Sequence, residues 1–163
     1  GSINHLGMEL FAHATGLKVT HVPYKGIAPA VNDTVSGQLQ ISMASLPSAF
    51  QFVRAGKLRA LAVTGDKRIP TASDIPTLTE NGITGAKVEL RWVVLAPAKT
   101  PRPVIQRLNN EIVKAISGKE IRDMLEREGA EITPIRPDEF QLDIVREIEM
   151  WRAFAERAAL KIE

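Results

Sequence analysis

At 163 residues, with 44% hydrophobic and 25% charged positions and a formal net charge of +2, the chain holds enough for one good core or one compact lobe with appended helices. Its composition excludes a disordered tail, and no apolar run is long enough to cross a bilayer. The 21 Lys and Arg residues are dispersed rather than gathered into a stripe with interleaved aromatics, which argues against nucleic acid as a partner, and zero cysteines exclude disulfides and thiolate metal sites.

The opening Gly1-Ser2-Ile3-Asn4 carries no basic and then apolar leader; Gly1-Ser2 reads either as a cloning scar or as native, and an export signal is expected upstream. Residues 5–15 step round a helix through Leu6, Glu9/Leu10 and His13/Ala14, with Ser2 or Asn4 as N-cap and Gly16 as the left-handed close. Residues 17–24 alternate and are rich in Val and Thr, which predicts a strand running straight into a corner at Tyr24-Lys25-Gly26. There Gly26 permits a sharp or left-handed backbone, and Pro29 suits an early helical position, so a helix over 27–36 follows, ended by Gly37.

A second strand is expected over 39–44, a helix over 47–55 ended by Gly56, and a nearly continuous apolar strand over 58–64 of the kind buried on both faces of a parallel sheet. Strand, helix, strand, helix, strand predicts an α/β fold, a parallel sheet flanked by helices with right-handed crossovers. Ligands of such sheets bind beyond the carboxyl ends of the strands, which selects Tyr24-Lys25-Gly26, Ala44-Ser45-Leu46 and Thr64-Gly65-Asp66. Residues 65–85 read as loop, with at most a short helix at 77–80. Residues 87–95 read as a long strand, then Pro101 and Pro103 open a helix through Val104, Leu108, Ile112 and Ile116 that Gly118 closes. A helix over 120–127, a short strand over 130–134 and a long helix over 137–160 complete the chain, the last with a stripe of Phe140, Ile144, Ile148, Trp151, Ala155 and Ala158 widened by Val145 and Phe154.

A helix opening at Gly26 points free N–H groups and a positive dipole end at anything lying over the strand end, and Lys25 adds a full charge, which is an anion pocket in outline. Lys25 reads either as a neutraliser of a carboxylate or as a solvated lysine. Ser45 is either a hydroxyl donor to a ligand oxygen or the N-cap of the helix that follows, and Thr64 either reaches the cleft or ends a buried strand. His5, His13 and His21 lack metal spacing with carboxylates and read as surface, strand-face or packing residues. No Gly-x-Ser-x-Gly elbow, phosphate loop or dinucleotide fingerprint is present, and paired acids such as Glu147 and Glu149 read as solvated helix faces, so no catalytic, metal or cofactor site is expected.

His21-Val22-Pro23-Tyr24-Lys25-Gly26-Ile27-Ala28-Pro29-Ala30, then Gly37-Gln38-Leu39-Gln40, Leu46-Pro47-Ser48-Ala49, residues 54–64, Ile75-Pro76-Thr77 and Leu95-Ala96-Pro97-Ala98-Lys99-Thr100-Pro101 resemble the Bug/TctC family. These are extracytoplasmic solute-binding receptors of tripartite tricarboxylate transporters. The resemblance implies a type II periplasmic-binding-protein-like lobe, capture of a small organic acid, closure of two lobes on it, and delivery to membrane transporter subunits. Family members are about twice this long, which implies a ligand-binding lobe at 1–86, a hinge strand at 87–97 with an aromatic at Trp92, and helices at 98–163 that belong to the first lobe, whose earlier part is absent.

On the resemblance, Ser2, Ile3 and Asn4 face the cleft, and the ligand-binding set becomes Ser2, Ile3, Asn4, Tyr24, Lys25, Gly26, Ser45 and Thr64. Many members carry an acid where Ala44 stands and a glycine where Val94 stands. Two other readings remain: an oligomerising module, dimeric or swapped through the C-terminal helix stripe, and an enzyme lobe using Lys25 as base or nucleophile.

Overall fold

In the computed structural model the structure describes residues 1–158, so the expected end of the last helix at Ala159 and Leu160 lies outside the described residues. Among the described residues there are six α-helices: α1 (Ile3–Thr15), α2 (Ile27–Val35), α3 (Leu46–Arg54), α4 (Arg102–Ile116), α5 (Lys119–Arg127) and α6 (Pro137–Arg157). Each begins where local chemistry says it can. The Ser2 hydroxyl accepts from the His5 N–H to start α1, and Gly16 at φ 71° closes it. Proline stands in the first turn of α3, α4 and α6, where a missing N–H costs nothing.

The chain divides into two compact units, Gly1–Leu90 and one beginning at Arg91, so the division falls within the stretch 87–97. In the first unit, α1 rests on two non-helical segments. Gly7 is buried, and a Cβ there would lie 2.5 Å from the Met43 sulfur and 3.3 Å from a Val88 methyl, so only a bare helix surface allows this approach. Asn4 Nδ2 donates to the Met43 carbonyl at 2.8 Å, fixing the same helix to the same segment. Val31 of α2 is almost wholly buried, α2 packs against α3, and Ala72, Ile75, Leu78, Ala86 and Val88 supply the rest of the core.

The segments expected as strands, 17–24, 39–44, 58–64, 87–95 and 130–134, are not helical, yet among the described residues they form no hydrogen-bonded ladder. The sole sheet-type pairing is a parallel bridge between Val63 and Thr77. Val63 N–H donates to the Pro76 carbonyl (2.9 Å) and Leu78 N–H to the Val63 carbonyl (3.0 Å), so the returning loop takes the backbone groups a neighbouring strand would use. Alternation selects an extended backbone, but a strand also needs a partner at its edge. Leu17, Val22, Ile41 and Leu61, meant for sheet faces, are left exposed.

The loop itself is ordered by a capping box. Thr77 Oγ1 accepts from the Glu80 N–H (3.1 Å), and Glu80 Oε2 accepts from the Thr77 N–H (2.7 Å), at the start of the single turn Thr79–Asn81. Arg68 Nε also reaches the Glu80 carboxylate at 2.9 Å. The Thr77 N–H first, and then Arg68, hold the Glu80 carboxyl below its ordinary range. A depressed carboxyl contributes stability that is present above its unfolded pKa and lost as pH falls through the folded one.

In the second unit α4 packs on α5 and α6. Asn109 Nδ2 donates to the Ile135 carbonyl (3.2 Å), Arg102 pairs with Asp138 (2.8 Å), and Phe154 is buried with the Trp151 ring edge-on to it at 6.1 Å. The expected α6 stripe is half-buried at Phe140, Ile144, Trp151, Ala155 and Ala158, whereas Val145 and Ile148 are exposed together with Leu142.

Removal of the Thr77 hydroxyl leaves the Glu80 N–H without its acceptor, while the backbone bond from the Thr77 N–H to the Glu80 carboxylate remains. Thr77→Ala is expected to lower unfolding stability by about 1 kcal/mol in urea titrations.

Candidate functional site

The first turn of α1 touches the two segments that lead into α2 and α3. Asn4, in that turn, holds the carbonyl of Met43, two residues ahead of the N-cap Ser45 of α3. His5, its neighbour, stacks on His21, three residues ahead of Tyr24 and the N-cap Gly26 of α2, with ring centroids 3.7 Å apart and planes 12° from parallel. The structure therefore brings Ser2, Ile3 and Asn4 together with the approaches to Tyr24-Lys25-Gly26 and to Ser45.

None of these three helices has an acidic residue in its first turn. By contrast α5 opens with Glu120, and α6 with Asp138 and Glu139, side chains that compensate a helix's positive end. The starts of α2 and α3 also lack a side-chain cap, although at α3 the Ser48 N–H donates to the Ser45 carbonyl at 3.1 Å. Gly26 makes the geometry at α2: its φ of 112° and ψ of 175° lie where side-chain-bearing residues are strained. Lys25 is exposed beside it.

The hydroxyls of the corner are partly committed to the fold. Tyr24 Oη donates to Asp33 Oδ2 at 2.7 Å, which ties the corner to the body of α2. That hydrogen bond, followed by burial and the Asp33 charge, pushes the Tyr24 phenol above its ordinary pKa. Ser45 Oγ lies 2.9 Å from Ser48 Oγ, and Ser48 Oγ donates to the Ser45 carbonyl at 2.7 Å, so this pair serves the first turn of α3. The Thr64 hydroxyl donates to the Val88 carbonyl, a bond between two core segments. Thr64 is thus joined to the α1 corner only through Val88, which also touches α1 at Gly7. Trp92 lies in the second unit with its residue 66% exposed.

Three contributors escaped sequence reasoning: Asp33, Ser48 and the His5–His21 pair. Asp33 and Tyr24 are nine residues apart across a turn, and their pairing depends on how α2 leaves Gly26. Ser48 stands three residues after Ser45, the N-cap spacing, and could have been read from that. The described residues hold no group of three or more His, Asp or Glu side chains able to bind a metal.

The family model for the tripartite tricarboxylate transporter family receptor, TctC, matches residues 1–158, and the chain belongs to that family. Protein BugT of Bordetella pertussis is 31% identical over 163 residues, all of this chain and 50% of BugT. Among solved structures the chain is similar to R. palustris Rpa4515 with adipate, at TM-score 0.89 and 34% identity over 98% of this chain and 53% of that one. It is also similar to the periplasmic binding protein BugD (0.87, 28%, 98% and 54%) and to MatC from Rhodopseudomonas palustris with bound malate (0.76, 26%, 92% and 52%). The fold is accordingly the α/β fold of periplasmic binding proteins, and the chain spans about half the length of these relatives.

Tyr24 is the single tyrosine, so its titration can be followed directly by phenolate absorbance. The midpoint is expected above 10, falling toward 10 in Asp33→Asn. The native state then keeps its phenolic proton longer than the unfolded chain, so the stabilisation is full below the unfolded pKa and fades as pH rises through the folded one.

Proposed function

We propose that this chain supplies a ligand-facing part of an extracytoplasmic receptor that captures a small organic carboxylate and passes it, chemically unchanged, to the membrane subunits of a tripartite transporter. The observation that supports this is that α1, α2 and α3 carry no acidic residue in the first turn, while the first turn of α1 touches the segments leading into the other two. Fixed N–H groups need no side-chain ordering on binding, so they receive a carboxylate at lower entropic cost than one flexible lysine. Adipate in Rpa4515 and malate in MatC, both small dicarboxylates, support the same ligand class.

Within this proposal residues 1–86 form the ligand lobe, 87–97 carry the hinge with Trp92, and 98–163 belong with the first lobe of the whole receptor. Ser2, Ile3, Asn4, Tyr24, Lys25, Gly26, Ser45 and Thr64 are its ligand-facing set, with the N–H groups near Asn4, Gly26 and Ser45 as the principal donors. A periplasmic location follows from the family and from the likeness to BugD.

Thermal unfolding of the full-length protein against C3 to C8 mono-, di- and tricarboxylates tests the proposal. A cognate acid at about a hundred times its Kd stabilises by roughly 2.7 kcal/mol; no shift with any acid, in a folded protein, contradicts it. Lys25→Met is expected to weaken binding only about twofold to fivefold, as an exposed charge does. Gly26→Ala strains the backbone at φ 112° and is expected to weaken it about tenfold or more.

A second reading, self-association through α6, is favoured by the exposed Leu142, Val145 and Ile148 at three-residue spacing. Sedimentation at several concentrations tests it. A mass that stays monomeric up to about 100 μM contradicts it, since an interface weaker than that Kd is too weak to specify an assembly.

A further inference from the structure

We infer that His5 and His21 form a proton-operated clasp, in which two stacked rings hold the start of α1 against the segment leading into the Tyr24-Lys25-Gly26 corner. Uptake of protons opens it. The two residues come from different segments of the fold, and their rings lie face to face at 3.7 Å, a separation that suits neutral imidazoles and opposes two imidazolium ions.

Burial and the neighbouring ring act on His5 in the same sense. Its Nε2 lies 3.6 Å from Glu9 Oε1. Burial first, and then the His21 ring, press the His5 pKa below its ordinary value, while Glu9 opposes them. The ring also stands in the first turn of α1, where the helix's positive end disfavours a cation. His21 is exposed and can swing into water, whereas His5 is half-buried and held by α1.

The sign follows from linkage. A histidine with a depressed folded pKa binds fewer protons in the native state than in the unfolded chain between the two pKa values. Native stability therefore falls as pH drops from its unfolded pKa toward the lowered one. Before global unfolding, the local contact between α1 and the 21–24 segment is the part that gives way. The bearing of the clasp on anion capture rests on the function proposed above, because it joins two of the three helix starts, but the clasp itself is observable without ligand.

The test is a proton NMR titration of the ligand-free protein from pH 8 to 5. The three histidine ring C–H signals can be assigned from His5→Gln, His13→Gln and His21→Gln, and the single tyrosine reports on the corner. The expected result has three parts: a His5 midpoint below 6.5 that rises in His21→Gln, Tyr24 ring signals that move with the histidine titration, and loss of that movement in His5→Gln and His21→Gln but not in His13→Gln. Tyr24 signals that stay flat in the wild-type protein, or a His5 midpoint unchanged by His21→Gln, would overturn the clasp. Binding of adipate at pH 8 reads the anion site separately from this outcome.

Discussion

The close approach of α1 to the Met43 and Val88 segments is the constraint on which the first unit depends. It exists because Gly7 presents no side chain to the Met43 sulfur and the Val88 methyls. Two consequences follow from that contact. Asn4 comes within hydrogen-bonding reach of the Met43 carbonyl, so the approach to α3 is set, and His5 comes over His21, so the approach to α2 is set. A larger residue at position 7 would require the Met43 side chain and the Val88 methyls to give way, at a typical overpacking cost of about 1–3 kcal/mol.

In the function proposed above, electrostatics turn this packing into a site. Helix starts are common, and alone they select nothing; here the first turn of α1 touches the segments leading into two others, and none of the three carries an acid in its first turn. The side chains nearby do different work. Tyr24, Ser45 and Thr64 direct their hydroxyl chemistry largely inward, to Asp33, Ser48 and Val88, and so hold the backbone in place.

The helices were legible in the sequence because their signals are local: Ser2 and Gly16 bound α1, and Pro47, Pro103 and Pro137 mark early turns of α3, α4 and α6. The ladder was not, because pairing is decided by what lies across the edge; at Val63 that neighbour is a loop containing Pro76, which no periodicity near Val63 announces. The corner at Tyr24-Lys25-Gly26 was legible for the same local reason as the helices, through glycine and proline placement. What Tyr24, Ser45 and Thr64 bond to was only partly legible, since two of the three partners are brought from a distance by the fold. The stacking of His5 on His21, sixteen residues apart, belongs to that second kind.

The central claim is that backbone N–H groups at three helix starts receive one carboxylate ligand. The most direct measurement is a two-dimensional amide NMR titration of the full-length protein with adipate. The account predicts saturable shifts concentrated at the amides of residues 3–6, 26–28, 46 and 48, all reporting one Kd. Shifts confined to other residues, or different Kd values at the three starts, would contradict it.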